Sequence, residues 1–166
     1  MLTVLLGGAR AGKSSLAERW ARESAGPVAV VATGEPFDDE MADRIARHRA
    51  DRPDGWSVAE EPLDLAGAIA GCDPDAFAIV DCLTTWLGNA NFHDVAPDVE
   101  AVLAAIAGRP GRTVVISNEV GWGIVPADPA TREYRDALGR LNQRFVAAAD
   151  EAFLVVAGRA IRLDDL

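Results

Sequence analysis

Several residue types are scarce in this chain of 166 residues, and each shortage excludes a class of protein. Cysteine occurs twice, and Cys72 and Cys82 form no C-x-x-C pair, which argues against a disulfide framework and favours reduced thiols in the cytosol. No stretch approaches the ~18 consecutive apolar residues of a membrane span. The first apolar segment has no basic region before it, so it is not a signal peptide. We therefore expect a cytoplasmic protein without membrane insertion.

Basic residues are also in short supply relative to acidic ones. The chain has 16 Lys and Arg against 26 Asp and Glu, which gives a formal net charge of −10 and a pI of about 4.6. A surface with this balance repels polyanions, so we expect no nucleic-acid partner. Apolar residues make up 49% and charged residues 25%, which is ordinary for a globular protein, and we interpret residues 1–166 as a single domain.

What the chain does have is the segment 7–14, which reads G-x-x-x-x-G-K-S and is typical of a phosphate-binding P-loop. A short apolar run precedes it and helical periodicity follows it, as a P-loop requires. Gly7, Gly8 and Gly12 let backbone N–H groups close around phosphate oxygens, next to the positive end of the new helix. Lys13 can add charge for the β- and γ-phosphates, and the Ser14 hydroxyl can bind Mg²⁺.

Apolar runs alternate with segments of helical periodicity along the whole chain. We predict strands at 2–6, 28–32, 56–60, 77–81, 113–117 and 152–157, and a short edge strand at 161–163. We predict helices after the P-loop and at about 38–50, 63–70, 99–107 and 130–149, a helix or turn at 83–87, and a polar loop at 89–94. This alternation predicts an α/β fold, a P-loop NTPase-type three-layer sandwich with a mostly parallel central sheet. Ligands should then bind at the carboxyl ends of the strands, where Gly7, Thr33, Asp81 and Asn118 fall.

Asp81 is the natural partner of the P-loop because it ends a buried apolar run, as a Walker-B carboxylate does. In that role it binds Mg²⁺ directly or through water, and together with Ser14 it forms the predicted metal site. Two alternatives stay open at this point. Asp81 can instead cap the following helix, and Glu119 can compete for the metal.

His48 is one of only two histidines and lies on a predicted helix face with Met41 and Ile45. A neutral imidazole nitrogen can attack phosphorus, and neighbouring arginines can bind displaced phosphates. On spacing alone, a partly buried structural histidine is the alternative. His93, in the polar loop, has no supporting pattern.

Six segments taken together resemble one known family. The P-loop alone carries little family information, whereas H-R-x-x-R-P and N-E-V-G-x-G-I-V-P in combination are specific. The chain is similar to the bifunctional adenosylcobinamide kinase / adenosylcobinamide-phosphate guanylyltransferase family of cobalamin biosynthesis. The matching segments are GGARAGKS (7–14), ATGEPFDDEM (32–41), RIARHRADRP (44–53), VDCLTTWLGN (80–89), SNEVGWGIVP (117–126) and YRDALGRLNQRFVAAADEAFLVVAG (134–158).

The resemblance implies an enzyme with two reactions. ATP or GTP phosphorylates adenosylcobinamide, and GTP then guanylylates a histidine, from which GMP passes to adenosylcobinamide phosphate to give adenosylcobinamide-GDP. It implies that His48 is the guanylylated residue, that Lys13 and Mg²⁺ act on the phosphates, and that the protein is a homotrimer whose active sites draw on neighbouring subunits. The nucleotide contacts that it implies are Gly7, Gly8, Ala9, Arg10, Ala11, Gly12, Lys13, Ser14, Thr33, Gly34, Glu35, Arg49, Ala50, Asp51, Arg52, Glu60 and Asp81.

Two other functions stay open on the sequence. The first is a P-loop small-molecule kinase or ATPase without a covalent histidine intermediate. The second is a GTP-dependent switch, which is disfavoured because Asn118-Glu119-Val120-Gly121 stands where a guanine-reading N-K-x-D motif would follow the 113–117 strand. The chain is also shorter than is usual for the family, and a trim at 90–110 would weaken kinase activity if that segment holds the corrinoid.

Overall fold

The structure, a computed structural model, describes residues 1–50 and 52–163, and of residues 40 and 44 the backbone only. Within these ranges, strands and helices alternate as the apolar pattern predicts. The elements in chain order are β1 (Leu2–Leu6), α1 (Lys13–Glu23), β2 (Val28–Ala32), α2 (Asp39–Ala50), β3 (Ser57–Glu60), α3 (Leu65–Ala70), β4 (Phe77–Asp81), α4 (Leu83–Phe92), α5 (Val99–Ala107), β5 (Thr113–Ile116), α6 (Pro129–Ala147), β6 (Glu151–Val156) and β7 (Arg159–Leu163).

The strands form one sheet in the order β3-β2-β4-β5-β1-β6-β7. Every neighbouring pair is parallel except β6 and β7, which form an antiparallel hairpin at one edge. Ala157 and Gly158 both have positive φ, of 50° and 75°, at the turn of this hairpin. The prediction of a mostly parallel α/β sheet is confirmed.

Alternate residues of the central strands enter two separate cores, one on each face of the sheet. Val4 of β1 and Val80 of β4 pack on the first face, where α3, α4, α5 and α6 bury residues such as Trp86. Leu5 and Ile79, one position away, pack on the second face against α1. This is the two-residue period of a sheet covered on both sides, and it confirms the three layers.

One predicted loop is wrong. Residues 89–94 were predicted as a polar loop, but α4 continues to Phe92. Asn89 faces inward with 2% of its surface exposed, and its amide donates to the carbonyls of Thr33 and Pro62 at 2.7 and 3.1 Å. In sequence, asparagine is typical of turns and loops. Here the side-chain amide is buried because it donates hydrogen bonds to main-chain carbonyls inside the fold.

The remaining differences from the predicted elements are small. Most predicted boundaries move by one or two residues, and the edge strand begins at Arg159 instead of 161. Both cysteines are free. Among the described residues, no helix combines the length and the apolar character needed to cross a membrane.

Candidate functional site

The P-loop lies between β1 and α1 and is shaped by glycines whose backbone a side chain would disturb. Gly7 has φ of 151°, and a Cβ built there would lie well under 3.0 Å from the carbonyl oxygen of Val155 in β6. Gly12 has φ of 102° and is the N-cap of α1. The Gly158 N–H donates to the Ala11 carbonyl at 2.8 Å, so the turn of the β6–β7 hairpin supports the P-loop backbone.

Lys13 begins α1 and is buried, with 6% of its surface exposed. Its ammonium donates to the carbonyls of Gly7 and Gly8 at 2.9 and 2.8 Å, and to the Oδ1 atom of Asn118 at 2.6 Å. The positive charge is therefore held at the inner side of the P-loop by main-chain oxygens and by one residue beyond the end of β5.

Ser14 and Asp81 come together as the sequence predicts for a metal pair. The Ser14 hydroxyl donates to the Asp81 Oδ2 atom at 3.2 Å, although the two residues are 67 positions apart. Cys82, not Asp81, is the N-cap of α4, so the capping alternative for Asp81 is wrong. Oxygen ligands of this kind suit Mg²⁺, which keeps several waters and uses substrate phosphates for its other positions.

The remaining acidic residues do not enlarge this pair. Glu119 accepts the N–H of Gly121 at 2.7 Å and so stabilises its own loop. In the ranges that the structure describes, no group of three His, Cys, Asp or Glu side chains is placed to bind a metal by itself. A cation at Ser14 and Asp81 would thus complete its coordination with water and phosphate oxygens.

His48 lies in the last turn of α2 and is exposed to solvent, which excludes the alternative of a buried structural histidine. As predicted, it shares a helix face with Met41 and Ile45, and the three side chains line one cavity. Asp81 closes the same cavity from β4. His48 also borders a larger cleft of ≈ 410 Å³.

That larger cleft joins the P-loop to the end of α2. The P-loop forms one wall, α2 contributes Arg47 and His48, and the ends of β4 and β5 form the floor. Its lining comprises Arg10, Ala11, Gly12, Lys13, Ser14, Ser15, Arg47, His48, Asp81, Cys82, Ile116 and Asn118. Of these, Ser15, Arg47, Cys82 and Ile116 are not among the predicted site residues, and Asn118 was predicted to lie at the ligand-binding edge but was given no role.

Three of the other predicted nucleotide contacts lie in the cavity beside His48. Gly34, Arg52 and Glu60 line it together with Asp81. Arg49 is exposed, and its guanidinium donates from Nε and Nη2 to the Glu60 carboxylate at 3.0 and 2.5 Å. This ion pair joins the end of α2 to β3.

The rest of the predicted contacts have different surroundings. Thr33 is fully buried, and its hydroxyl contacts the Thr85 hydroxyl and donates to the Cys82 carbonyl at 2.8 Å. The Glu35 carboxylate lies 2.9 Å from the Nε2 atom of His93, a residue for which the sequence indicated no role. Ala9 and Ala50 are exposed, Gly8 has open space around it, and Asp51 lies outside the described residues.

Burial raises the pKa of two groups, one in the lining of the cleft and one behind it. Burial, and after it the charge of Asp81, raises the pKa of the Cys82 thiol, so this thiol stays protonated at neutral pH. Burial also raises the pKa of Tyr134 to about 12. Its hydroxyl donates to the Thr84 carbonyl at 2.7 Å, which ties α6 to α4.

Comparison with known proteins identifies close relatives over nearly the whole chain. Residues 3–163 match the sequence profile of the family described as cobinamide kinase / cobinamide phosphate guanyltransferase. The chain is 42% identical over 163 residues to the bifunctional adenosylcobalamin biosynthesis protein CobP of Pseudomonas aeruginosa, covering 95% of this chain and 94% of that protein. It is 36% identical over 181 aligned positions to the bifunctional adenosylcobalamin biosynthesis protein CobU of Escherichia coli, covering 98% and 99%.

Solved structures show more distant similarity. The flagellar accessory protein FlaH from Methanocaldococcus jannaschii superposes with a TM-score of 0.56 at 13% identity, over 98% of this chain and 77% of that one. A type III secretion ATPase of pathogenic bacteria superposes with a TM-score of 0.51 at 13% identity, over 97% and 56%. At such identities the similarity concerns the fold alone, and it agrees with the predicted P-loop NTPase-type sandwich.

Proposed function

Because the chain belongs to the cobinamide kinase / cobinamide phosphate guanyltransferase family, we propose that it carries out both reactions on adenosylcobinamide in cobalamin biosynthesis. In the first, the substrate hydroxyl oxygen attacks the γ-phosphorus of ATP or GTP. The bond to the bridging oxygen breaks, the nucleoside diphosphate leaves, and the hydroxyl proton passes to water. The product is adenosylcobinamide phosphate.

In the second reaction, a ring nitrogen of His48 attacks the α-phosphorus of GTP, and pyrophosphate leaves with the bonding electron pair. A phosphate oxygen of adenosylcobinamide phosphate then attacks the same phosphorus. The bond to His48 breaks, which restores the free imidazole and yields adenosylcobinamide-GDP. Two displacements replace one, as in other forms of covalent catalysis.

The observation that carries this proposal is the shared cleft. Lys13, Ser14 and Asp81 line the same ≈ 410 Å³ space as His48. This lining supports a bound nucleotide with its outer phosphates at the P-loop and its inner phosphorus toward α2. This arrangement supports one nucleotide site serving both reactions.

The chain's own residues supply the phosphate chemistry. The P-loop N–H groups and Lys13 offset the charge that develops on the outer phosphates. Ser14 and Asp81 would hold Mg²⁺, which neutralises further charge on those phosphates when it is bound. Arg47 lines the cleft beside His48, and Arg52 lines the neighbouring cavity, so both can stabilise negative charge near the reacting phosphorus.

The proposal extends to a cytoplasmic homotrimer. Two cysteines without a disulfide are in keeping with a reducing compartment. After β5, the loop that leaves the cleft floor carries Trp122 and Ile124, which are 75% and 97% exposed. Exposed apolar side chains this close together are typical of a surface that another subunit covers.

Intact-protein mass measurement after incubation with GTP and Mg²⁺ tests the covalent step. We expect the wild type to gain one GMP, in a linkage labile to acid and stable to alkali, and to lose it when adenosylcobinamide phosphate is added. His48→Ala should gain nothing and form no adenosylcobinamide-GDP, while part of its kinase activity survives. His93→Ala is the matched control, because it removes the only other histidine and should keep the adduct.

Two outcomes would contradict parts of this proposal. If His48→Ala still formed adenosylcobinamide-GDP at the wild-type rate, the covalent role of His48 would be wrong. If the wild type phosphorylated adenosylcobinamide but never carried GMP, the chain would be a P-loop kinase without a covalent intermediate.

A further inference from the structure

Asn118 is held from three directions beside the P-loop. Its Oδ1 atom accepts from the Lys13 ammonium at 2.6 Å. Its backbone N–H donates to the Thr84 hydroxyl of α4 at 2.8 Å, and its carbonyl accepts from the Asn142 amide of α6 at 3.1 Å. Because these two contacts use only backbone atoms, they fix the main chain of Asn118 and leave its side-chain amide directed at Lys13.

The residues that hold Asn118 are themselves fixed. Asn142 is 5% exposed, and its Oδ1 atom accepts from the buried Ser117 hydroxyl at 2.6 Å. On the other side, the Tyr134 hydroxyl donates to the Thr84 carbonyl at 2.7 Å. Two helices on the first face of the sheet thus determine where one amide meets the P-loop lysine. A network whose members are all hydrogen-bonded gives such an arrangement a single geometry.

We propose that Asn118 is a positioning residue, which acts through Lys13 to place its charge where the β- and γ-phosphates of the nucleotide bind. This inference rests on the proposed function. The amide oxygen restrains the ammonium through a neutral contact, which a phosphate can replace or share without separating an ion pair. The carbonyls of Gly7 and Gly8 hold the ammonium from the P-loop side, and Asn118 adds a contact from the opposite side that restrains the flexible four-carbon stem.

The amide nitrogen of Asn118 explains why the residue is asparagine and not aspartate. Asn118 lines the cleft, and within residues 1–50 and 52–163 its amide nitrogen has no protein acceptor. The nitrogen is thus available to donate to a phosphate oxygen. A carboxylate at this position would keep the contact to Lys13, but it would hold the ammonium by charge and repel the triphosphate.

Asn118→Asp separates positioning from simple packing, because the two side chains have almost the same shape. Affinities for GTP and for GMP are measured by calorimetry with Mg²⁺ in a His48→Ala background, which cannot be guanylylated. The kcat for both products and the melting temperature are measured with His48 in place. We expect the melting temperature to stay near that of the wild type. We expect GTP affinity to fall about tenfold or more and kcat on the order of 10²-fold, as when an electrostatic group is misplaced. GMP affinity should not change, because GMP lacks the phosphates that Lys13 contacts.

Gln143→Glu is the control, since it makes the same amide-to-carboxylate change on an exposed position of α6 and should leave every measurement unchanged. Asn118→Ala should also weaken GTP binding more than GMP binding. The proposal is overturned if Asn118→Asp lowers the affinities for GTP and GMP by the same factor, or if it lowers neither affinity. If the wild type binds GTP but forms neither product, the proposed function fails, and the ratio of the two affinities still tests Asn118.

Discussion

The close approach of the P-loop to β6 makes a sharp prediction for Gly7→Ala. The new Cβ would lie well under 3.0 Å from the Val155 carbonyl oxygen and 3.2 Å from its carbon, both of which are main-chain atoms. Crowding of this kind costs about 1–3 kcal/mol. The backbone at φ of 151° adds strain of about 1–3 kcal/mol for a residue with a side chain.

The net effect on stability follows from these two costs. Alanine also lowers the conformational entropy of the unfolded chain relative to glycine, which offsets about 0.4–1 kcal/mol of these costs. We therefore expect the free energy of unfolding to fall by roughly 1–6 kcal/mol, out of a total of about 5–15 kcal/mol. For a chain of this size, 1 kcal/mol corresponds to about 2–4 °C, so the melting temperature should fall by roughly 2–22 °C.

Urea unfolding and calorimetry of the nucleotide-free protein measure this change. Gly8→Ala is the matched control, because a Cβ at Gly8 meets nothing within 4 Å and should leave the melting temperature almost unchanged. If Gly7→Ala were as stable as Gly8→Ala, the P-loop would not lie against Val155 as described, and the reasoning about the loop's support would fail.

Two further predictions concern residues away from the cleft. Arg109 is 7% exposed, and its guanidinium donates to the carbonyls of Ile69, Asp73 and Ala76 at 3.2, 3.0 and 2.8 Å. Because Arg109→Met removes these hydrogen bonds, it should lower the free energy of unfolding, measured in urea, by about 2–4 kcal/mol. An unchanged urea midpoint would refute this. The pKa of Tyr134 is raised to about 12 in the folded chain, so its contribution to stability is complete below pH ~10 and is lost as the pH rises through ~12. Tyr134→Phe should therefore be less stable by about 1 kcal/mol at neutral pH, and its deficit should shrink above pH ~10; a deficit independent of pH would contradict the raised pKa.

Local patterns were enough to predict most of the fold. The P-loop, the buried strands and the carboxylate at the end of β4 each depend on a few consecutive residues, and the structure contains all of them. The face shared by Met41, Ile45 and His48 likewise follows from helical spacing alone, and it lines a cavity as expected. Such features can be predicted because their physical cause lies within one element.

Features that depend on the neighbours of an element could not be predicted in the same way. Asn118 contacts Lys13, 105 positions away, because β5 pairs with β1, and no local pattern specifies that pairing. Asn89 and Arg109 have polar side chains, and only the fold provides the carbonyls that make their burial favourable. Thr33 directly follows β2 as expected, but its burial depends on the packing of α4.

The support that the β6–β7 hairpin gives to the P-loop has a consequence for biosynthesis. The glycine-rich loop is translated well before Val155 and Gly158, the residues that it packs against. A nascent chain would carry the complete motif long before it could hold a triphosphate. Nucleotide capture during translation should therefore begin only once the hairpin has left the exit tunnel.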